Sequence, residues 1–179
     1  NLYPDIKWSH AWSFNLPFLY APEHTHDIRI SGHGTIRMMP DDDVDYYVCN
    51  NARAERLKNG RIILPLARHS RRLDGAQFTQ GRLSCVYSDD NGQSWKKSEE
   101  YIIRDAVGKR VTVQEPGVVE LKDGRLYMYA RTDRGRQWQM FSKDGGRTWG
   151  DFGPSNIIAP RSPATIERLK NGDLLLVWN

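Results

Sequence analysis

Apolar and polar residues alternate with a period of two over short runs along most of this chain, and turn residues separate the runs. The clearest stretch is residues 114–133, QEPGVVELKDGRLYMYARTD. At its middle, Lys122-Asp123-Gly124 marks a hairpin turn, because Asp folds its side chain back on the backbone and Gly enters the left-handed region without a Cβ clash. Runs rich in β-branched and aromatic residues flank the turn at 118–121 and 126–130 and predict two antiparallel strands. Glu115 stands eight residues before Asp123 and Arg131 eight after it, so a turn centred on Asp123 sets an acid and a guanidinium side by side at the open end of the hairpin. Two readings of that pair stay open at this point: a functional site, or a cross-strand ion pair worth about 0.2–1 kcal/mol.

The hairpin is repeated. LKNG at 57–60, LKDG at 121–124 and LKNG at 169–172 each sit between strand-like runs, in AERLKNGRIILPLA, VVELKDGRLYMYA and ATIERLKNGDLLLVW. Between them falls a second repeat, S-x-D-x-G-x-x-W, as Ser88, Asp90, Gly92 and Trp95 and again as Ser142, Asp144, Gly146 and Trp149. Each type has a mechanical task in a turn: Asp accepts backbone N–H bonds, Gly takes the left-handed step, and Trp returns to fill an apolar gap. These residues read as structural staples, not as catalytic groups. One unit therefore runs strand, LKDG turn, strand, loop, strand, S-x-D-x-G-x-x-W turn, strand. No apolar spacing of the helical kind persists beyond a turn or two, so the class is all-β, and four antiparallel strands per repeat of this length describe β-propeller blades.

The expected organisation is a single partial propeller domain over 1–179. Residues 1–49 form the end of a preceding blade plus loops, 50–113 a blade with its turn motif at 88–95, 114–160 a blade with its motif at 142–149, and 161–179 the first hairpin of a third. The first fifty residues are the least legible: Trp8, Trp12, Phe14, Phe18 and Tyr20 crowd a Pro-punctuated segment, and short strands are expected near Ile28 and Ile36.

Composition adds limits. A charged fraction of 27% against a hydrophobic fraction of 39% is that of a water-soluble globular chain, and no apolar run approaches the roughly 18 residues of a membrane span. The opening residues NLYPDIKW lack the pattern of a signal peptide, but the sequence does not begin with Met, so processing or excision upstream, and secretion with it, stay open. The net charge of +4 is spread along the chain. Its one basic knot, Arg68-His69-Ser70-Arg71-Arg72, is expected to interrupt the strand as a loop and lacks the aromatic interleaving of a nucleic-acid surface, so no nucleic-acid partner is expected. Cys49 and Cys85 lie in strand-like runs, which favours buried thiols over a disulfide. His24, His26, Asp27 and His33, and the acidic run at 41–45, lack the spacing of a zinc or calcium site, so no metal and no cofactor are expected.

The S-x-D-x-G-x-x-W motif is the Asp box of sialidases and related propellers. Together with NNARAERLKNGRIILPLARH, EPGVVELKDGRLYMYART and SPATIERLKNGDLLLVWN, residues 50–179 resemble the exo-α-sialidase (neuraminidase) family. The Asp boxes alone are moderately specific; the Glu-Pro…Glu-Leu-x-Asp-Gly-Arg-Leu…Arg-Thr segment is much more so. The resemblance implies a six-bladed propeller that cleaves terminal sialic acid with retention. Its implied machinery is three arginines on the sugar's carboxylate, a tyrosine nucleophile with a glutamate beside it, and an aspartate acid/base. Glu115 matches that glutamate and Arg131 the second arginine.

Centring on Asn59 puts Asn51 in Glu115's place, with Arg53 two residues along the same strand face; Arg68 and His69 follow the second strand, and all four are candidates for the pocket rim. In the third hairpin Pro163 and Asn179 take the places of Glu115 and Arg131. The tyrosine and third arginine are expected after Asn179, the first arginine and the aspartate upstream, so the chain is expected to be an excised piece of a longer protein, active only at full length. The implied partner is a sialylated glycan or another acidic sugar, and open blade faces invite self-association. A secreted or periplasmic location follows from the resemblance alone. The alternatives are a non-catalytic Asp-box propeller that binds carbohydrate or protein, and a hydrolase of another sugar.

Overall fold

The computed structural model describes residues 27–29, 35–37, 45–48, 53–70 and 80–179. Every regular element among them is a β-strand, and the strands are antiparallel. β1 (Asp27–Arg29) and β2 (Thr35–Arg37) form a two-stranded ribbon. The first large sheet centres on β5 (Ile62–Ser70) and β6 (Gln80–Ser88). Its inner edge comes in two pieces, β3 (Asp45–Val48) and β4 (Glu55–Arg56), and its outer edge in two more, β7 (Lys96–Lys97) and β8 (Tyr101–Ile102), so the sheet is four strands deep. The second is a plain four-stranded meander of β9 (Val113–Glu120), β10 (Leu126–Thr132), β11 (Arg136–Ser142) and β12 (Gly150–Ile158). A third begins with β13 (Thr165–Arg168) and β14 (Leu174–Val177).

The LKDG turn closes the β9–β10 hairpin as its chemistry requires. Leu121 N donates to Arg125 O at 2.7 Å, Gly124 sits at φ 84°, and Asp123 accepts from Arg125 N at 3.0 Å. Glu120 pairs with Leu126 and Leu126 with Ser142, so this turn and the second Asp box lie at one end of the sheet. Ile62 pairs with both Arg56 and Ser88, which repeats the arrangement in the first sheet.

The core fills the space between the two large sheets. Ile63, Ala67, Leu83 and Cys85 from the first meet Val118, Leu126, Met128, Ala130 and Met140 from the second. Leu126, Met128 and Ala130 alternate inward with Tyr127, Tyr129 and Arg131 on the other face, as strand geometry dictates. Cys85 is a free, buried thiol; Cys49 lies outside the described residues. The basic knot departs from expectation. Arg68, His69 and Ser70 continue β5, paired on one side with β3 and on the other with β6, and do not form a loop. Two strand neighbours satisfy the backbone there, and the Arg68 charge is met by Glu100 at 2.9 Å. Arg71 and Arg72 lie outside the described residues.

Both Asp boxes are closed by the same bonds. Ser88 Oγ donates to Asp90 at 2.8 Å and accepts from Gly92 N at 2.7 Å, and Trp95 Nε1 donates to Gly92 O at 3.1 Å. In the second, Ser142 Oγ donates to Asp144 at 2.8 Å, Thr148 N donates to Asp144 at 3.0 Å and Trp149 Nε1 to Gly146 O at 3.2 Å. Trp149 is buried in the inter-sheet core, and its N–H donates to Tyr101 of the first sheet at 3.0 Å. Arg61 binds Asp89 of the first box through two nitrogens, at 2.6 and 3.0 Å, and Gly145 O of the second at 2.7 Å. The boxes therefore close turns and join neighbouring sheets.

The Asp90 carboxyl is held at about 2 by the Ser94 hydroxyl and N–H and by Ser88. For Asp144 burial pushes upward, but the Thr148 hydroxyl and N–H with Ser142 outweigh it and hold the group at about 2. Both values lie below the unfolded 3.8, so each carboxylate favours the folded state at neutral pH and loses that effect as pH falls from about 4 toward 2. An Asp144→Asn variant is expected to melt below wild type at pH 7 and to converge with it as pH approaches 2. Melting curves that stay parallel across that window would remove the charge from the explanation.

Candidate active site

The end of the second sheet opposite its Asp box is where the hairpin register breaks. Pairing runs regularly from Leu126↔Glu120 to Tyr129↔Gly117, then shifts by one, so Arg131 faces Gln114. The extra residue is taken up at Glu115-Pro116. Proline has no N–H to give the ladder and suits such a bulge, while Glu115 adopts φ 50°, a left-handed conformation that a residue with a Cβ holds only when its surroundings enforce it. At the bulge the Glu115 carboxylate meets Arg131, whose Nη1 donates to Oε2 at 2.8 Å. Both side chains are half-buried, at 22% and 23% exposure. The Arg131 Nε is buried and has no hydrogen-bond partner.

His69, on β5 of the neighbouring sheet, is fully buried. Burial first, and the Arg131 charge second, lower its pKa to about 4, so it is neutral at physiological pH and adds no competing charge beside Arg131. Arg68 takes the opposite face of the same strand and is committed to Glu100. Asn51 lies outside the described residues, as do His24, His26, His33 and the side chain of Asp27, and among the described residues no group of three His, Cys, Asp or Glu could hold a metal. No helix there is long and apolar enough to cross a membrane.

Arg53 is buried and donates from Nη1 to the Tyr129 hydroxyl at 2.8 Å, with its guanidinium carbon 5.4 Å from the ring centroid. Ile166 N, from the third sheet, donates to the same hydroxyl at 2.9 Å. Tyr129 thus joins side and main chain of three sheets. Sequence reading assigned Tyr129 no role, because the contact to Arg53 spans 76 residues and no local pattern marks it. The signal that was present is Gly117: only a residue without a Cβ lets the ring and guanidinium close over β9. Gln137, also absent from the sequence candidates, stands next along β11 from Trp138, whose partner is Ala130. It is therefore across from Arg131, is 1% exposed, and donates from Nε2 to Ser162 O at 2.8 Å.

A family model described as a BNR repeat-like domain matches residues 46–179. An anhydrosialidase from Macrobdella decora is 33% identical over 106 residues, covering 59% of this chain and 12% of that protein. Sialidase B from Streptococcus pneumoniae serotype 4 is 36% identical over 78 residues, covering 41% of this chain and 10% of that protein. Among solved structures, the intramolecular trans-sialidase from Ruminococcus gnavus in complex with oseltamivir carboxylate superposes with a TM-score of 0.50 at 26% identity, over 73% of this chain and 26% of that one. The chain spans about a tenth of the length of the curated relatives it matches.

A Cβ at position 117 would stand 2.3 Å from the Tyr129 hydroxyl and 2.5 Å from Arg53 Nη1. Gly117→Ala is therefore expected to destabilise the protein by about 1–3 kcal/mol, measured as a lower denaturant midpoint. An unchanged midpoint would contradict the close packing of Arg53 and Tyr129 over β9.

Proposed function

The chain belongs to the BNR repeat-like domain family and is sialidase-like in sequence, and from that premise we propose that the whole protein is an exo-acting glycoside hydrolase that removes terminal sialic acid from glycoconjugates with retention. The observation that carries this reading is the Glu115–Arg131 pair: a carboxylate in a strained backbone conformation, joined to a guanidinium, with both side chains partly open to solvent. Glu115 occupies one side of the fork at Nη1, and the Arg131 side chain keeps 23% of its surface open, where the sugar's carboxylate would be received.

The substrate explains the other half of the pair. Sialic acid carries its carboxylate on the anomeric carbon, which repels an ionised Asp or Glu nucleophile; a neutral tyrosine is not repelled, and sialidases use one. A tyrosine needs a base for its proton, and Glu115 is the base in this proposal. Tyr129 is not that nucleophile: its hydroxyl is sealed in the interior, already accepts from Arg53 and Ile166, and burial raises its pKa. The tyrosine is expected from elsewhere in the whole protein. The neutral His69 adds no second positive charge that would compete with Arg131 for Glu115.

Hydrolysis of a fluorogenic sialoside by the full-length protein tests the assignment. Glu115→Gln is expected to lower kcat on the order of 10²-fold or more, the usual share of a general base. Arg131→Lys, which keeps the charge but loses the fork, is expected to lower kcat/KM by on the order of 10-fold or more. Turnover unaffected by either change would remove both residues from the site.

A further inference from the structure

We propose that Tyr129 is a positioning residue for Glu115: its hydroxyl, tied to a sheet on either side, fixes the strand beside the bulge and with it the direction in which the Glu115 carboxylate is presented; this inference rests on the function proposed above. Three features point to it. First, the bulge lies between two ladder pairs, Gly117↔Tyr129 and Gln114↔Arg131, and within that span β9 sets Glu115 and Pro116 against Ala130 alone. A bulge has no regular pairing of its own, so its geometry rests on the pairs that flank it. Second, the flank on the turn side is a glycine, which has the most conformational freedom and no side chain to pack. The Tyr129 ring fills the place a side chain would take: a Cβ at 117 would stand 2.3 Å from both the hydroxyl and the ring carbon that bears it. Third, the ring cannot lift from Gly117 without breaking two bonds that come from outside its own sheet, from Arg53 Nη1 at 2.8 Å and from Ile166 N at 2.9 Å.

Arg53 precedes β4 of the first sheet and Ile166 lies in β13 of the third, so one hydroxyl braces the second sheet from both sides beside the bulge. Tyr129 is 1% exposed and has no surface to offer a substrate. Its effect on the reaction passes along the backbone from Gly117 to Glu115, two residues or at most about 7 Å of chain. A reacting group displaced by about an ångström can lower a rate by up to about a hundredfold, so a small loosening at Gly117 is enough to be read in turnover.

The test uses sialoside hydrolysis by the full-length protein with Tyr129→Phe, which keeps the ring and removes the hydroxyl, made alone and together with Glu115→Gln. The expected result is a kcat roughly tenfold lower with KM within about twofold of wild type, and no more than about a twofold further loss when the same change is made in Glu115→Gln, because a residue that acts through Glu115 then has nothing left to position. Ser142→Ala, at the Asp-box end of the same sheet, separates positioning from stability: it is expected to lower the denaturant midpoint and leave kcat within about twofold of wild type. A tenfold loss in both backgrounds, an unchanged kcat in Tyr129→Phe, or a Ser142→Ala variant as slow as Tyr129→Phe would each overturn the inference and leave the proposed function standing. No turnover by the wild type, or full turnover by Glu115→Gln, would instead overturn the proposed function and the inference with it. If Tyr129→Phe does not fold, Arg53→Met, which removes one of the two bonds to the hydroxyl and leaves Tyr129 itself unchanged, goes through the same cycle. An unchanged kcat there, or a loss of equal size in both backgrounds, contradicts the proposal.

Discussion

The structure turns on a register constraint. The Asp-Gly turn at 122–124 fixes which residues of β9 and β10 face each other, and regular pairing outward from it would carry on to the strand ends. At Glu115 the pairing slips by one, so that Arg131 faces Gln114, yet Glu115 and Arg131 remain joined by a 2.8 Å bond. A glutamate at φ 50° is unfavourable by itself, on the order of 1–3 kcal/mol, and persists because Pro116, the β9–β10 ladder and the ion pair all require it. Backbone strain and site geometry are here one feature.

Such a feature needs rigid neighbours, and the contacts between sheets supply them. At the Asp-box end, Arg61 joins one box to the other and Tyr101 receives the Trp149 N–H. Nearer the site, Tyr129 collects Arg53 from one sheet and Ile166 from the next. The turns that close each blade also bind its neighbour, which leaves the opposite end free to carry chemistry without being asked to hold the fold together. The division follows from strand direction: in each hairpin the tight turn and the Asp box fall at one end, so the irregular backbone falls at the other.

Much of this was legible in the sequence because it is local and repeated. Period-two runs, three LK(N/D)G turns and two Asp boxes specify antiparallel blades, and counting outward from Asp123 brings Glu115 and Arg131 together. What counting misses is the bulge, since nothing in Glu-Pro-Gly states which residue leaves the ladder. Arg68 and Arg53 were equal candidates in sequence, yet Arg68 turns to Glu100 while Arg53 crosses to Tyr129, a choice made by partners 32 and 76 residues away. The basic knot looked like a loop because charge is rare inside a sheet; Glu100 and the burial that keeps His69 neutral remove the objection. Tyr129 was invisible for the same kind of reason: its partners Arg53 and Ile166 stand on other sheets.

The central claim is that the bulge at Glu115 and the exposed part of Arg131 form a site for the carboxylate of an acidic sugar. A crystal structure of the full-length protein soaked with N-acetylneuraminic acid tests it most directly. The sugar's carboxylate is predicted to lie within hydrogen-bond distance of the Arg131 guanidinium, with Glu115 still bonded to Nη1. A sugar bound elsewhere, out of reach of the Arg131 guanidinium, would contradict the account and reduce Glu115 and Arg131 to an ion pair at the mouth of a hairpin.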